Sequence, residues 1–283
     1  MQVWEREEVQ EVLWRREVKG QSGELSVPRR IPWLTTALAL ACAGVIVALA
    51  LMMRARSRDA RVAAKTKHAA EMVLLGNYGR AITDYDEALA DRPGNVALLE
   101  VRATLKYAAG DLAGAQADCE AAIAGGSRGA WATRGAVKAM RGDLDGALAD
   151  YAEAIKLNPA DGAAWACRAD ALRLKGDFAS ALPAYDRAIE LDPKPPRAWR
   201  GRSEVRFRTG NHEGAKTDAG EAISRNGTDP EAWFLRASAT RALGDAKGAL
   251  ADCRKALEVA PRDWVKREDV EKWVESLEAE VGE

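Results

Sequence analysis

Six copies of a short motif, glycine followed by aspartate or asparagine, recur at nearly constant spacing and constrain the fold more than any other feature. The intervals between successive glycines are 34, 32, 34, 34 and 34 residues, and the glycines are Gly76, Gly110, Gly142, Gly176, Gly210 and Gly244. Such a period indicates a stacked structural unit, because one unit of this size cannot bury its own apolar face. The sequence therefore predicts a repeat protein over residues 62–263.

Three further residue types keep fixed distances from these glycines. Alanines stand five and twelve residues after every one of them. Tryptophans precede the last four by eleven residues, at Trp131, Trp165, Trp199 and Trp233, and prolines follow four of the six by seventeen, at Pro93, Pro159, Pro193 and Pro261. Each unit is predicted to be an antiparallel helix pair that turns at the glycine, because glycine ends helices and proline does not continue them. The alanines would let the helices approach closely.

This order of Trp, Gly, Ala and Pro resembles the tetratricopeptide repeat. The resemblance implies an all-α fold, a right-handed superhelical solenoid of antiparallel helix pairs, in which the first helices line a concave groove for a partner peptide or helix. A C-terminal capping helix is predicted from apolar residues at helical spacing, which are Val270, Trp273, Val274, Leu277 and Val281. The predicted organisation is a charged tail (1–30), a transmembrane helix (31–53), a helical linker (54–61), six repeats (62–95, 96–127, 128–161, 162–195, 196–229, 230–263) and the capping helix (264–283).

The transmembrane prediction rests on the absence of charge from residues 31–53. A helix of this length covers the roughly 30 Å of a bilayer core, and a buried core helix so long normally carries a polar stripe. A signal-peptide cleavage site at residues 48–50 and a lipoprotein-like sequence at residues 39–42 are alternatives. We favour an uncleaved anchor, because apolar residues continue beyond Cys42 and arginines follow at once.

Charges beside this segment predict a single-pass protein of a bacterial inner membrane with its repeats in the cytoplasm. Four Lys and Arg residues lie within 15 residues before the segment and six within 15 residues after it, and the positive-inside rule favours the richer side. A translation start near Pro28 would instead place the repeats in the periplasm. Between Val45 and Leu75 there is neither Gly nor Pro, which predicts a continuous helix into the first repeat.

Composition argues against several classes of function. Lys and Arg total 42 against 43 Asp and Glu, and no basic block predicts nucleic-acid binding. Four Cys and two His are too few and too scattered for a disulfide framework or a zinc site. His68 and His212 fall on unrelated repeat positions and are predicted to be structural. No catalytic arrangement, metal site or cofactor loop is recognisable, so the protein is predicted not to be an enzyme.

Arginines and aspartates also follow the repeat. Eight residues before a glycine stand Arg102, Arg134, Arg168, Arg202 and Arg236, and eight residues after one stand Asp84, Asp118, Asp150, Asp218 and Asp252. Both sets lie equally far from the turn, so they should face each other and form an ion pair within each helix pair. An anion-binding ladder is the alternative. Ala184 replaces the aspartate of the fourth repeat and leaves Arg168 without its usual partner.

Candidate partner-binding residues follow from the resemblance, which places one set on the concave face. They are Asp170, Arg173, Arg197, Arg200, Glu204, Arg208 and Arg241. Five arginines against two acids predict a mildly basic groove, with a solvated charged face as the alternative. No first helix contains Asn, which disfavours the chaperone-tail clamp known in this family.

The predicted function is a membrane-anchored scaffold for a partner peptide or helix; an assembly or regulatory subunit that positions a separate enzyme is the alternative. The partner and the oligomeric state are not specified by the sequence.

Overall fold

The computed structural model describes the backbone of residues 32–282 and the side chains of residues 47–282. Within this range the chain forms thirteen α-helices and no strand. They are α1 (Pro32–Leu74), α2 (Tyr78–Asp91), α3 (Val96–Ala108), α4 (Leu112–Ala124), α5 (Ala130–Met140), α6 (Leu144–Leu157), α7 (Gly162–Lys175), α8 (Phe178–Leu191), α9 (Pro196–Arg208), α10 (His212–Arg225), α11 (Pro230–Ala242), α12 (Ala246–Val259) and α13 (Arg267–Val281).

The chain divides into two units, Met1–Ala60 and Arg61–Glu283. The predicted tail, residues 1–30, lies outside the described residues. Of the predicted membrane span, residues 31–53, only the side chains from Val47 onwards are described. Among the residues that the structure describes, no helix combines the length and the apolar character needed to cross a membrane.

The six predicted turns are confirmed, and each depends on a glycine and on the residue that follows it. All six glycines have φ between +72° and +91°, a left-handed conformation that other residues adopt only with strain. The side chain of the next residue caps the second helix by accepting a hydrogen bond from a backbone N–H three residues on; the caps are Asn77, Asp111, Asp143, Asp177, Asn211 and Asp245. The two-residue motif therefore ends one helix and begins the next.

Alanines at the helix contacts are buried as expected. The twelve alanines that stand five and twelve residues after the glycines are at most 5% exposed. Buried tyrosines complete the packing where a glycine leaves room. A Cβ at Gly135 would lie 2.8 Å from the ring of Tyr151, and one at Gly201 would lie 2.3 Å from the hydroxyl of Tyr185. Small residues thus determine how closely the helices approach.

The predicted Arg–Asp pairs are confirmed in four units. In the fifth, Arg202 donates from Nε and from a terminal nitrogen to the two carboxylate oxygens of Asp218, at 2.8 and 2.7 Å. The same two-bond pairing joins the corresponding residues in three other units, at Arg102–Asp118, Arg134–Asp150 and Arg236–Asp252. These arginines therefore hold the two helices of a unit together. We call the series of repeated ion pairs between first and second helices the ladder.

In three of these units a second cation also contacts the aspartate, and the sequence analysis did not predict this contact. Lys138 stands one turn after Arg134, and its Nζ lies 2.9 Å from Asp150. Lys106 and Arg206 occupy the corresponding places in the second and fifth units, at 3.0 and 2.8 Å from their aspartates. Burial opposes ionisation of Asp150, but the two cations outweigh it and lower its pKa. Each of these cations stands four residues after the arginine, on the same face of its helix, so the spacing could have predicted the second contact.

In the first unit His68 occupies the place that an arginine holds in the other five units. It stands eight residues before Gly76, and its Nδ1 lies 2.5 Å from Asp84. Its role is structural, as expected, but it is a member of the ladder. In the fourth unit no carboxylate pairs with Arg168 among residues 47–282, and its guanidinium lies 5.7 Å from the ring of Trp165.

Helix α13 covers the last helix pair through the residues that the sequence indicated. Val270 and Leu277 are fully buried in a cluster with residues of α11 and α12. The other three predicted residues, Trp273, Val274 and Val281, pack against that cluster while remaining partly exposed. Trp273 also lies 5.8 Å from Phe234 in an edge-to-face arrangement, so the final helix adds an aromatic side chain to the inner surface of the last unit.

Candidate functional site

A cavity of about 830 Å³ lies along the first helices of the last three units. Six of the seven predicted groove residues line it: Asp170 and Arg173 from α7, and Arg197, Arg200, Glu204 and Arg208 from α9. We call this cavity the cationic groove. The structure therefore brings these six together at one surface, and their role in binding stays a prediction. Further lining residues are Leu174, Gly201, Phe207, Glu231, Phe234, Leu235, Ser238 and Lys266.

One end of the cationic groove is organised by a buried tyrosine. The hydroxyl of Tyr185 donates to Oδ1 of Asp170 at 2.5 Å, and Nε of Arg197 donates to Oδ2 of the same carboxylate at 2.5 Å. Burial, followed by the charge of Asp170, raises the pKa of Tyr185, so its hydroxyl remains a donor. Burial alone would lower the pKa of Arg197, but Asp170 raises it overall. The arginine is thus held charged and in one orientation.

The middle of the cationic groove is organised by Glu204. Arg173 donates to one oxygen of Glu204 at 2.9 Å and to the hydroxyl of Tyr185 at 3.2 Å. Arg208 approaches the other oxygen of Glu204 with its Nε at 3.3 Å. Arg200 donates from one terminal nitrogen to Asp229 at 2.9 Å. Each arginine is oriented by a carboxylate of the protein.

The mildly basic character expected of the groove agrees with the side chains that line it. Five cationic side chains, four arginines and Lys266, line the groove with three carboxylates, those of Asp170, Glu204 and Glu231. Asp229 pairs with Arg200 from outside the lining, so the formal excess is one positive charge. A guanidinium has five N–H donors, and each of these arginines uses only some of them within the protein. The remaining donors can bind a carboxylate of a partner.

Arg241, the seventh predicted residue, does not line the cationic groove. It borders a smaller cavity of about 420 Å³, and its terminal nitrogen donates to Glu280 of α13 at 2.7 Å. We call this cavity the aromatic pocket. Its other lining residues are Phe207, Phe234, Ser238, Ala242, Asp269 and Trp273. The structure therefore places Arg241 at the aromatic pocket and pairs it with the capping helix.

Sequence reasoning missed the aromatic residues of this surface. Phe207 and Phe234 line both cavities, and they are two of only three phenylalanines in the chain. Because both phenylalanines lie on first helices, which the resemblance places at the groove, the sequence could have indicated them as groove residues. Lys266 lies beyond the last repeat, where its Nζ contacts Glu231 at 2.6 Å and lies 4.9 Å from the centre of the Phe234 ring. No repeat position marks that lysine, so only the folded chain reveals it.

The chain matches the family profile described as Tetratricopeptide repeat over residues 75–130, 138–194, 168–227 and 206–263. These segments cover well over half of the sequence and contain the six turn glycines and the twelve alanines described above. The chain belongs to the tetratricopeptide repeat family. Proteins of this family typically mediate interactions between proteins. No curated protein sequence gives a significant match to this chain.

Solved structures show the same fold at low sequence identity. A tetratricopeptide repeat protein from Parabacteroides merdae is 21% identical with a TM-score of 0.59, covering 77% of this chain and 90% of its own. PilF of Pseudomonas aeruginosa is 13% identical with a TM-score of 0.66, and the match covers 76% of this chain and 99% of PilF. YrrB, described as a TPR protein with an unusual peptide-binding site, is 17% identical with a TM-score of 0.53, and the match covers 66% of this chain and 97% of YrrB. These likenesses establish the tetratricopeptide repeat solenoid.

The chemistry that this arrangement offers is the binding of anionic groups. The oriented arginines offer hydrogen-bond donors with a fixed direction, which suits binding of anionic groups. Among the described residues no group of three or more His, Cys, Asp or Glu side chains could hold a metal ion. The thiols of Cys119 and Cys253 are buried, and burial raises the pKa of each to about 12, which makes both poor nucleophiles.

Proposed function

We propose that this tetratricopeptide repeat protein is an interaction scaffold that binds a peptide or helix of a partner protein in the cationic groove, with no catalytic step. The observation that carries the proposal is the set of four arginines held in place by neighbouring carboxylates around one cavity of about 830 Å³. Side chains fixed in advance lose little conformational entropy on binding. YrrB, a protein of the same fold, is described as having a peptide-binding site, which supports peptide binding as a use of this fold.

Site-specific photocrosslinking tests the scaffold proposal. A photoreactive amino acid replaces Leu174, whose exposed side chain lines the cationic groove. The matched control replaces Arg187, an exposed residue of α8 that lines neither cavity. We expect a discrete crosslinked partner in cells from position 174 and none from position 187. Equal crosslinking at both positions, or none at position 174, would contradict the proposal.

We further propose that residues 31–53 anchor the protein in a bacterial inner membrane and that the repeats lie in the cytoplasm. Support comes from the uncharged segment and from the excess of Lys and Arg that follows it. An anchor of this kind would hold the groove near membrane-associated partners. The periplasmic orientation is the competing outcome of the test below.

Cysteine labelling tests both parts of the membrane proposal. Burial raises the pKa of Cys167 and makes it a slow target, so we use Thr217→Cys on the exposed side of α10 and Ser22→Cys in the tail. In intact cells an impermeant maleimide should label the cysteine at position 22 and spare that at position 217 until lysis. Reaction at 217 before lysis would reverse the orientation. Extraction of the protein from membranes by carbonate would refute the anchor.

A further inference from the structure

The aromatic pocket and the cationic groove form one continuous surface. Both are lined by Phe207, Phe234 and Ser238, so a single bound segment can contact both. The pocket has three half-buried aromatic rings, those of the two phenylalanines and of Trp273, and it is open to solvent. Its volume of about 420 Å³ suits one aromatic side chain with its backbone. Aromatic side chains inserted into such pockets supply much of the binding energy at protein interfaces.

Two arginines of the cationic groove, which shares Phe207 and Phe234 with the pocket, retain hydrogen-bond donors for a ligand. Arg208 is the neighbour of Phe207 in the chain, its side chain is 59% exposed, and within residues 47–282 it forms one ion pair, the 3.3 Å contact with Glu204. Arg200 uses one terminal nitrogen for Asp229. The remaining N–H groups of both guanidinium groups can bind carboxylates of a ligand. A ligand segment with an aromatic side chain and nearby acidic residues therefore complements this surface in shape and charge.

We propose that the groove recognises an acidic segment of a partner protein that inserts one aromatic side chain into the aromatic pocket and pairs its carboxylates with Arg200 and Arg208. This inference rests on the scaffold function proposed above and specifies the chemistry of the partner. The charge pattern favours an acidic peptide over a nucleic acid. Asp170, Glu204 and Glu231 line the same cavity. A peptide with a few carboxylates can place them at the arginines alone, whereas a backbone with one phosphate at every nucleotide would also bring charges close to these three acids.

Four fluorescein-labelled peptides of about ten residues test the recognition by fluorescence anisotropy with the full-length chain. One has a central Trp between Glu residues, one has Ala in place of that Trp, and two keep the Trp between Lys or Ser residues. We expect the Trp–Glu peptide to bind most tightly. Loss of the Trp should weaken binding about tenfold, replacement of Glu by Lys should abolish it, and added salt should weaken it.

Two variants locate the binding. Ala242→Trp fills the aromatic pocket from an exposed position, and Arg208→Glu reverses one charge. We expect Ala242→Trp to remove the advantage of the Trp–Glu peptide over its Ala counterpart, and Arg208→Glu to weaken binding about tenfold. The matched controls are Met140→Trp, which stands two residues before its glycine as Ala242 does, and Arg187→Glu. Neither control lines either cavity, and both should leave affinity unchanged.

The outcomes separate this inference from the scaffold function. Equal binding of the Lys or Ser peptides, or a tryptophan preference that survives Ala242→Trp, would overturn the inference. If no peptide binds but position 174 still crosslinks a partner, the acidic-aromatic specificity is wrong and the scaffold function stands. If the peptides do not bind and position 174 gives no crosslink, both proposals are wrong.

Discussion

Replacing Arg202 by alanine is expected to lower the free energy of unfolding by about 3 kcal/mol. The variant leaves the carboxylate of Asp218, which is fully buried, with Arg206 as its remaining cation. It also removes the contact with Asp186 and the packing of the guanidinium over the ring of Trp199. Because Arg202 is itself largely buried, the pair is not screened as a surface pair would be. Urea unfolding followed by circular dichroism measures the change.

The fourth unit provides the matched control for this prediction. Arg168→Ala removes an arginine at the same repeat position, but Ala184 stands where the aspartate would be. No buried carboxylate loses its partner, so we expect a change below about 1 kcal/mol. A double-mutant cycle of Arg202 and Asp218 should give a coupling energy of about 2 kcal/mol. A coupling below about 0.5 kcal/mol would favour the alternative that these arginines bind an anionic ligand.

The ladder illustrates how much of the fold was available from the sequence. Glycine, alanine, arginine and aspartate recur at fixed distances, and a periodic signal of this kind specifies the local geometry of every unit at once. Both the turn at Gly142 and the Arg134–Asp150 pair follow from it. The first unit keeps the spacing but carries His68 in place of arginine, so the pattern of arginines alone does not predict the contact between His68 and Asp84.

The groove was predicted less completely, because its contacts join residues that no repeat position relates. Arg200 is oriented by Asp229, which lies in the turn before the next unit, and Arg241 by Glu280 of the capping helix. The aromatic pocket depends on where α13 places Trp273. The repeat period determines neither the side chains of connecting turns nor the position of a terminal helix. The residues could therefore be identified individually, while their partners could not.

Gly201 links the packing of the repeats to the cationic groove, and Gly201→Ala is expected to destabilise the protein by about 2 kcal/mol. Alanine in a helix is normally preferred over glycine by about 1 kcal/mol. Here the added Cβ would lie 2.3 to 2.6 Å from the hydroxyl oxygen and two ring carbons of Tyr185. That ring is fully buried and its hydroxyl is bonded to Asp170, so it has little freedom to move. The clash should outweigh the gain in helix propensity.

Gly220→Ala in α10 is the matched control for this prediction. No atom outside its own helix lies within 4 Å of the position that a Cβ would take, so this variant should gain stability by up to about 1 kcal/mol. Opposite signs of the two changes in urea midpoint are the expected result. Displacement of Tyr185 would also release Asp170 and Arg197, so Gly201→Ala should reduce partner crosslinking from position 174 while Gly220→Ala leaves it intact. If both substitutions stabilise the protein and crosslink equally, Tyr185 does not hold the groove in its binding conformation.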